Sequence, residues 1–472
     1  MSEGDRPEST DAAAVRKSAR APIQFAGGVR KRANPFLRRI LERLAQPRAP
    51  QPSGEVRRAR QIVAMCRALL SELGEVSGPR LATEVLAAYQ ALDQPSREMF
   101  FDVLVEDFSA DPAGIERAAD AYRRMASPAT LKGLQGAVES PRQELFRRLN
   151  LAPGALRILL EMRRQLLTTL DRCPQREVID NDLSHLFRSW FNGGFLVLQR
   201  IDWRTSAVVL ERLIQYEAVH QIQGWDDLRR RLEADRRCYA FFHPALLEEP
   251  LIFIEVALTR GISAKVQPLL DPRSAVVDPA VANCAVFYSI TNCQEGLRGI
   301  SLGNLLIKQV VEDLRRRFPR LKTFATLSPI PGFRPWLAGM NGSKNGPRVS
   351  SELAALLARV DLEVAFPDSE MSPAARDEIS RLCAYYLLHA KQGKTPLDPV
   401  ERFHLANGAS LERLNWLGDV SPIGTRRSLG LMVNYRYRLA DMERNHEAYA
   451  RDYTIVASRE FERMAKQALL PR

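Results

Sequence analysis

The sequence predicts an α+β protein in which an all-helical N-terminal bundle precedes a mixed α/β domain. Three observations carry that reading. Between Glu55 and Gln175 apolar residues recur at every third or fourth position, the period of helices buried along one side. After about residue 185, short runs rich in β-formers alternate with amphipathic segments. Residues 283–333 run strand, glycine turn, helix, strand. A chain of 472 residues holds two or three domains, each with a sizeable core. The expected partition is a disordered or extended basic tail and linker over 1–55, a helical domain over 56–186, and the mixed domain over 187–472.

In chain order, the proline-rich stretch Gln46–Gly54 is the linker. Residues 56–74 set Ile62, Val63, Cys66, Leu69, Leu70 and Leu73 on one side. Residues 79–92 do so with Leu81, Val85 and Tyr89, and residues 95–107 with Met99, Phe100 and Leu104. Residues 153–171 carry Leu156, Leu159, Leu160, Met162 and Leu166. Breaks at Gly78-Pro79, Gln94-Pro95, Asp111-Pro112 and Ser127-Pro128 divide this region into a bundle. Helices that bear no chemistry hold subunits together or support a neighbouring domain. Strands follow at 196–203, 238–243 and 251–258, around a helix at 205–217, and strand-like runs return near 412–416 and 428–436. An irregular loop covers 341–352, and helical patterns fill 351–360 and 373–391.

The organising stretch is 283–333. Residues 284–290 read as a buried strand, and glycines stand at Gly296, Gly299 and Gly303. Leu302, Leu305, Leu306, Val310, Leu314 and Phe318 then mark an amphipathic helix with a cationic last turn, stopped by Pro319. Residues 321–328 return as a second strand, ended by Pro329 and Pro331. A helix N-terminus leaves N–H groups unpaired, and glycines let a diphosphate approach them. The candidate phosphate cradle is Arg298, Gly299, Ile300, Ser301, Leu302, Gly303 and Asn304, in which the 301–304 amides open the helix. The spacing is neither GxGxxG nor GxxxxGK[ST], so on this stretch alone a glycine turn opening an ordinary surface helix competes with the cradle.

Further stretches bear on that choice: Trp190-Phe-Asn-Gly-Gly-Phe195, Tyr288-Ser-Ile290, Ser328-Pro-Ile-Pro-Gly-Phe333, Phe403-His-Leu-Ala-Asn-Gly408, Leu414–Ser421 and Gly430–Tyr437. Occurring in this order from about residue 60 to near the C-terminus, they resemble the malonyl-CoA decarboxylase family. The resemblance implies a helical N-terminal domain, a catalytic domain of GNAT-like fold, and a serine–histidine pair acting on malonyl-CoA. Losing CO2 from malonyl-CoA leaves a thioester enolate whose carbonyl is the electron sink. No metal or organic cofactor is therefore expected, and coenzyme A enters as part of the substrate. The protein has to hold the carboxylate perpendicular to the carbonyl plane, stabilise the enolate oxygen with N–H donors, and place an acid near the α-carbon.

Six histidines are available: His185, His220, His243, His389, His404 and His446. Chemistry alone leaves the choice open, since any of them also fits a structural or solvated role. The resemblance selects His404, set between Phe403 and the Asn407-Gly408 turn as though presented from a loop, as proton donor to the enolate carbon. It likewise selects Ser328, ending a strand before Pro329, to position the malonyl group. An acyl-enzyme on Ser328 is disfavoured because decarboxylation needs no acyl transfer. Against the GNAT loop [Q/R]xxGx[G/A], taking Gly299 as its glycine puts Gly296 first and Ser301 last. The family carries an acidic residue where Ser301 stands; if that carboxylate orients the histidine in the family, another group has to orient His404 here. Asn415 and Tyr435 are neighbours by motif, and spacing makes neither catalytic.

The formal net charge of +12 fits an anionic partner, nucleic acid and coenzyme A alike, and much of the excess sits in the arginine-rich tail. Basic residues are interleaved with acids and no nucleic-acid motif occurs, so none is expected as partner. Cys66, Cys173, Cys238, Cys284, Cys293 and Cys383 are scattered without a CxxC pair and read as reduced, mostly core thiols. No apolar run reaches the roughly 18 residues of a membrane span, so no membrane partner is expected. Glu3, Asp5, Glu8 and Asp11 argue against a transit segment, and the C-terminal Leu-Leu-Pro-Arg472 is no peroxisomal signal. The expected location is a bacterial-type cytoplasm, with an organelle matrix as the alternative, and the expected assembly is a homo-oligomer, dimer or tetramer, through the helical domain. Two other functions compete: a GNAT-type acyltransferase passing acetyl to an amine, and a non-enzymatic helical adaptor or nucleic-acid binder.

Overall fold

Side-chain caps decide where four of the eight N-terminal helices begin. Asp93, Asp111, Ser127 and Ser140 each accept a hydrogen bond from the first turn that follows, and each is followed by proline at the first or second helical position. The prolines expected as breaks at 95, 112 and 128 are thus helix starts. Helices run Gly54–Leu70, Leu73–Gln90, Gln94–Asp107, Pro112–Arg124, Pro128–Val138, Pro141–Leu149, Ala155–Leu167 and Glu177–Trp190. Pro79 departs from the expectation, lying inside the helix Leu73–Gln90 rather than opening one. An interior proline costs about 3 kcal/mol. Ala82, Val85, Leu86 and Tyr89 of the same helix are all buried, and at about 1.5–3 kcal/mol for each large apolar side chain that burial outweighs the lost bond.

The computed structural model describes residues 54–469 apart from 72, 341–346, 348 and 360–370. Nearly all of the expected 1–55 tail and most of the 341–352 loop lie outside the described residues. From Gly54 onward the chain forms one compact unit, and one apolar core runs from the helices, through Phe100, Leu159 and Phe187, into the sheet at Phe241, Ile254 and Phe287.

The sheet is built from β1 (Val197–Ile201), β2 (Arg236–Phe242), β3 (Ile252–Thr259), β4 (Cys284–Asn292), β5 (Thr323–Thr326), β6 (Ser328–Pro329), β9 (Ser410–Asn415) and β10 (Met432–Arg436), with a separate two-residue pair, β7 (Lys391–Gln392) and β8 (Thr395–Pro396). Its order is β1-β2-β3-β4-β5-β10-β6, with β9 also on β10. Only β4 and β5 are parallel, joined by the crossover helix Gly303–Arg317; every other pair is antiparallel. The helical half and the mixed sheet domain expected from the sequence are both present. Residues 428–436 differ from the expected single strand. Ser428 ends a helix, Pro422–Ser428, and Leu429 and Gly430 turn the chain with φ of 54° and 80° before β10 starts at Met432.

Two local features open the sheet. Glu255 faces Ser289 and Val256 faces Phe287, which leaves Tyr288 as the extra residue of a bulge that bends β4. The parallel pairing stops at Phe287 and Thr326; beyond it β4 continues along β3 to Asn292, while Ser328 pairs with Val433 of β10. Ser328 therefore stands where the strands part, at their C-terminal ends, where ligands of α/β sheets are held. Among the described residues no helix is long and apolar enough to cross a membrane. All six cysteines are free, and all but Cys173 are buried.

Candidate active site

His404 lies on the last turn of an eight-residue helix, Pro399–Ala406, and not on the loop expected from the sequence. Asp398 caps that helix by accepting from the N–H groups of Val400 and Glu401, and Pro399 pre-sets its first turn. The segment is too short for a periodic apolar signal, so only its cap signature could have revealed it. Gly408, with φ of 78°, ends it, and a Cβ there would overlap the carbonyl of Met442. Phe403 and Asn407, four apart, face the crossover helix, and a Cβ on Gly303 would overlap the Phe403 ring. Gly303 is the point where the two helices touch.

Folding brings His404 Nε2 to 3.0 Å from Ser328 Oγ, across 76 positions of sequence. Ser328 in turn donates its hydroxyl to Thr326 Oγ1 at 2.8 Å, so it accepts from Nε2–H. That assigns the tautomer: Nδ1 is the acceptor, and Tyr437 donates its hydroxyl to it at 2.7 Å. Tyr435, two residues earlier in β10, stacks on the imidazole with centroids 4.4 Å apart. All five side chains are buried. Burial lowers the His404 pKa from 6.5 to about 3, so the ring is neutral at physiological pH.

Tyr437, which the sequence reading left unassigned, thus orients the histidine. Asn415 bonds to Asn434 and to the Met432 carbonyl instead. Ser301 is exposed and bonds to neither ring nitrogen. Asp398 also accepts from the N–H of Gly332 at 3.1 Å, which ties the turn after Ser328 to the cap of the histidine helix. Glu401 is fully buried, neither of its carboxylate oxygens has a hydrogen-bond partner among the described residues, and burial raises its pKa well above the ordinary carboxylate range.

The three glycines of the turn, Gly296 before the candidate cradle and Gly299 and Gly303 within it, have three different jobs. A Cβ on Gly296 would overlap the backbone of Leu160, so this glycine lets helix Ala155–Leu167 press on the loop. Arg163, held by Asp180 through its Nε, donates to the Gly296 carbonyl at 2.6 Å and locks that contact. Gly303 serves the helix–helix contact described above. Gly299 alone has φ of 80° and open space where its side chain would be. Arg298, Gly299 and Ser301 are exposed, and Arg298 has no ion-pair partner among the described residues. The helix proper starts at Gly303, so of the 301–304 amides expected to open it only the last two belong to its first turn.

A cleft of about 870 Å³ lies beside Gly296. It is lined by Arg97, Arg157 and Arg164 and equally by Glu161, Glu249 and Glu295, so it lacks the positive excess a diphosphate requires; Ser328, His404 and Tyr437 do not line it.

Comparison with known proteins places these features in a family. The model of the malonyl-CoA decarboxylase C-terminal domain matches residues 194–471, and that of the N-terminal domain matches residues 108–191. The mitochondrial malonyl-CoA decarboxylase of Anser anser anser is 36% identical over 415 residues, covering 80% of this chain and 82% of that protein. The protein of the same description from Rattus norvegicus is 36% identical over 341 residues, 66% of this chain and 69% of its own. The crystal structure of malonyl-CoA decarboxylase from Rhodopseudomonas palustris superposes with a TM-score of 0.81 at 48% identity, over 86% of this chain and 99% of that one. The structure from Agrobacterium vitis gives 0.81 at 47%, with the same coverage.

Proposed function

The chain belongs to the malonyl-CoA decarboxylase family, a family of carboxy-lyases, and we propose that it releases CO2 from malonyl-CoA through a thioester enolate protonated by His404. The observation that carries this reading is the chain of contacts from Tyr437 through His404 to Ser328. Ser328 turns its hydroxyl from Thr326 to the malonyl group and fixes it beside the imidazole. The bond between the α-carbon and the carboxyl carbon breaks, its electron pair passes into the thioester carbonyl, and CO2 leaves. His404 delivers its Nε2 proton to the α-carbon while Tyr437 supplies one to Nδ1, and solvent restores the tyrosine. A thioester enolate is a far stronger base than imidazole, so a neutral ring suffices as the acid and its depressed pKa is no obstacle. Coenzyme A is substrate, held by its diphosphate at Arg298 to Asn304 with Gly299 as the open position. No further cofactor takes part.

The reading extends to assembly. The helices Pro112–Arg124 and Pro128–Val138 pack chiefly on each other and bury no residue, leaving Met125, Leu131 and Val138 exposed. The second of them carries Lys132 as its sole charge, and the first pairs Arg117 with Asp111 and Arg123 with Asp120. In a chain of net charge +12, this nearly neutral apolar arm is where a second copy can approach with least repulsion.

Substituting His404→Ala tests the mechanism. CO2 release should fall by at least about a hundredfold, with coenzyme A affinity nearly intact. Activity within a few-fold of wild type would remove His404 from the role of acid.

A further inference from the structure

At the buried end of the cradle, hydrogen-bond donors face one another with nothing to accept from them. The N–H groups of Gly303, Asn304 and Leu305 open the 15-residue crossover helix, and among the described residues no backbone or side-chain acceptor caps them. Asn407 reaches the same place: its Nδ2 comes within 3.2 Å of the position a Cβ on Gly303 would occupy. Asn407 is 2% exposed, and Nδ2 has no hydrogen-bond partner among the described residues. A buried amide left unpaired is destabilising, and the helix N-terminus adds its own partial positive charge. Such a set is retained when an electronegative atom arrives from outside the chain. Asn407 is the C-cap of the short helix that carries His404 three residues earlier, and its N–H bonds to the His404 carbonyl, so the two are carried together.

We propose that Asn407 is a catalytic residue whose Nδ2–H, together with the first-turn N–H groups of the crossover helix, binds the thioester oxygen and holds the negative charge it gains when CO2 departs. The proposal rests on the reading that decarboxylation takes place at His404. Asn407 gives a hydrogen bond and neither gains nor loses a proton. The electron pair from the broken C–C bond resides on the oxygen it faces and returns to the α-carbon as the Nε2 proton arrives there. Burial distinguishes this end from the diphosphate end. Arg298, Gly299 and Ser301 are exposed and suit a charge that is permanent and hydrated, whereas Leu302, Gly303 and Asn407 are buried and suit a charge that exists only during reaction.

The experiment uses the full-length protein with Asn407→Asp, which keeps the shape and removes the donor, and Asn407→Ala. Three quantities are read: CO2 release from malonyl-CoA, exchange of the acetyl-CoA methyl protons with D2O, and the Kd for coenzyme A. Proton exchange passes through the same enolate without any decarboxylation. Both variants should lose about 10²–10³ in kcat and a comparable factor in exchange, with the coenzyme A Kd within about twofold of wild type. Exchange at the wild-type rate in the folded Asn407→Asp variant would overturn the proposal. So would a loss of coenzyme A affinity that accounts for the whole loss of activity. His404→Ala measured alongside separates the two readings: if it stays active, the His404 assignment fails; if it is inactive while both Asn407 variants remain active, this inference alone fails.

Discussion

At the scale of single residues, the orientation of one imidazole depends on one hydroxyl. Tyr437→Phe removes the donor to Nδ1 and leaves the ring free to adopt the other tautomer, in which Nε2 carries no proton for the substrate. A buried hydrogen bond of this kind is worth about 1–3 kcal/mol, so kcat should fall about tenfold to a hundredfold with coenzyme A affinity unchanged. Steady-state kinetics with an unaltered kcat would show that the tautomer is set elsewhere. Ser328 and His404 were legible as members of separate motifs. Tyr437 was not singled out, although it ends one of those motifs. Tyr435 lies in β10 and Tyr437 just past its end, and only the fold brings one onto the face of the ring and the other to its nitrogen.

At the scale of elements, the strand, turn, helix and parallel strand of 284–326 were readable because periodicity and glycine placement both act locally. The jobs of the glycines were not readable, because two of the three answer to elements remote in sequence: Gly296 to the helix of Leu160 and Gly303 to that of Phe403. The histidine helix was missed for a related reason: its eight residues are stabilised by the Asp398 cap and by packing, not by an apolar repeat of its own. The apolar arm formed by Pro112–Arg124 and Pro128–Val138 makes its own prediction. Paired substitution of Met125→Glu and Leu131→Glu should lower the oligomeric state seen by light scattering, while the melting temperature stays within a few degrees because both residues are already exposed. An unchanged molar mass would remove the arm from the assembly.

At the scale of the whole molecule, two buried histidines couple stability to pH. Burial lowers the pKa of His220 to about 4 and that of His404 to about 3, against about 6.5 in the unfolded chain. Both are neutral in the folded protein at pH 7. Between about pH 6.5 and 4 each of these histidines is protonated in the unfolded chain and not in the folded one, so its contribution to stability falls as pH falls, by up to about 1.4 kcal/mol per unit, while buried Glu255 and Glu401, whose raised pKa values keep protons in the folded chain that the unfolded chain releases, act in the opposite sense. Above about pH 6.5 neither contributes a slope. His220→Phe removes one histidine contribution, so between pH 7.5 and 5 its urea midpoint should fall less, or rise more, than that of the parent. A slope identical to that of the parent would assign the acid sensitivity to other groups.

The contact between Gly296 and Leu160 bears on how this enzyme can be divided. Arg163 and the Leu160 backbone form the wall against which the loop at Gly296 is shaped. A shortened version starting at the first sheet strand would lose that wall and leave the loop slack in water. Under the proposed placement of the diphosphate the helices are part of what shapes its loop, and any trimmed form meant to work should retain them.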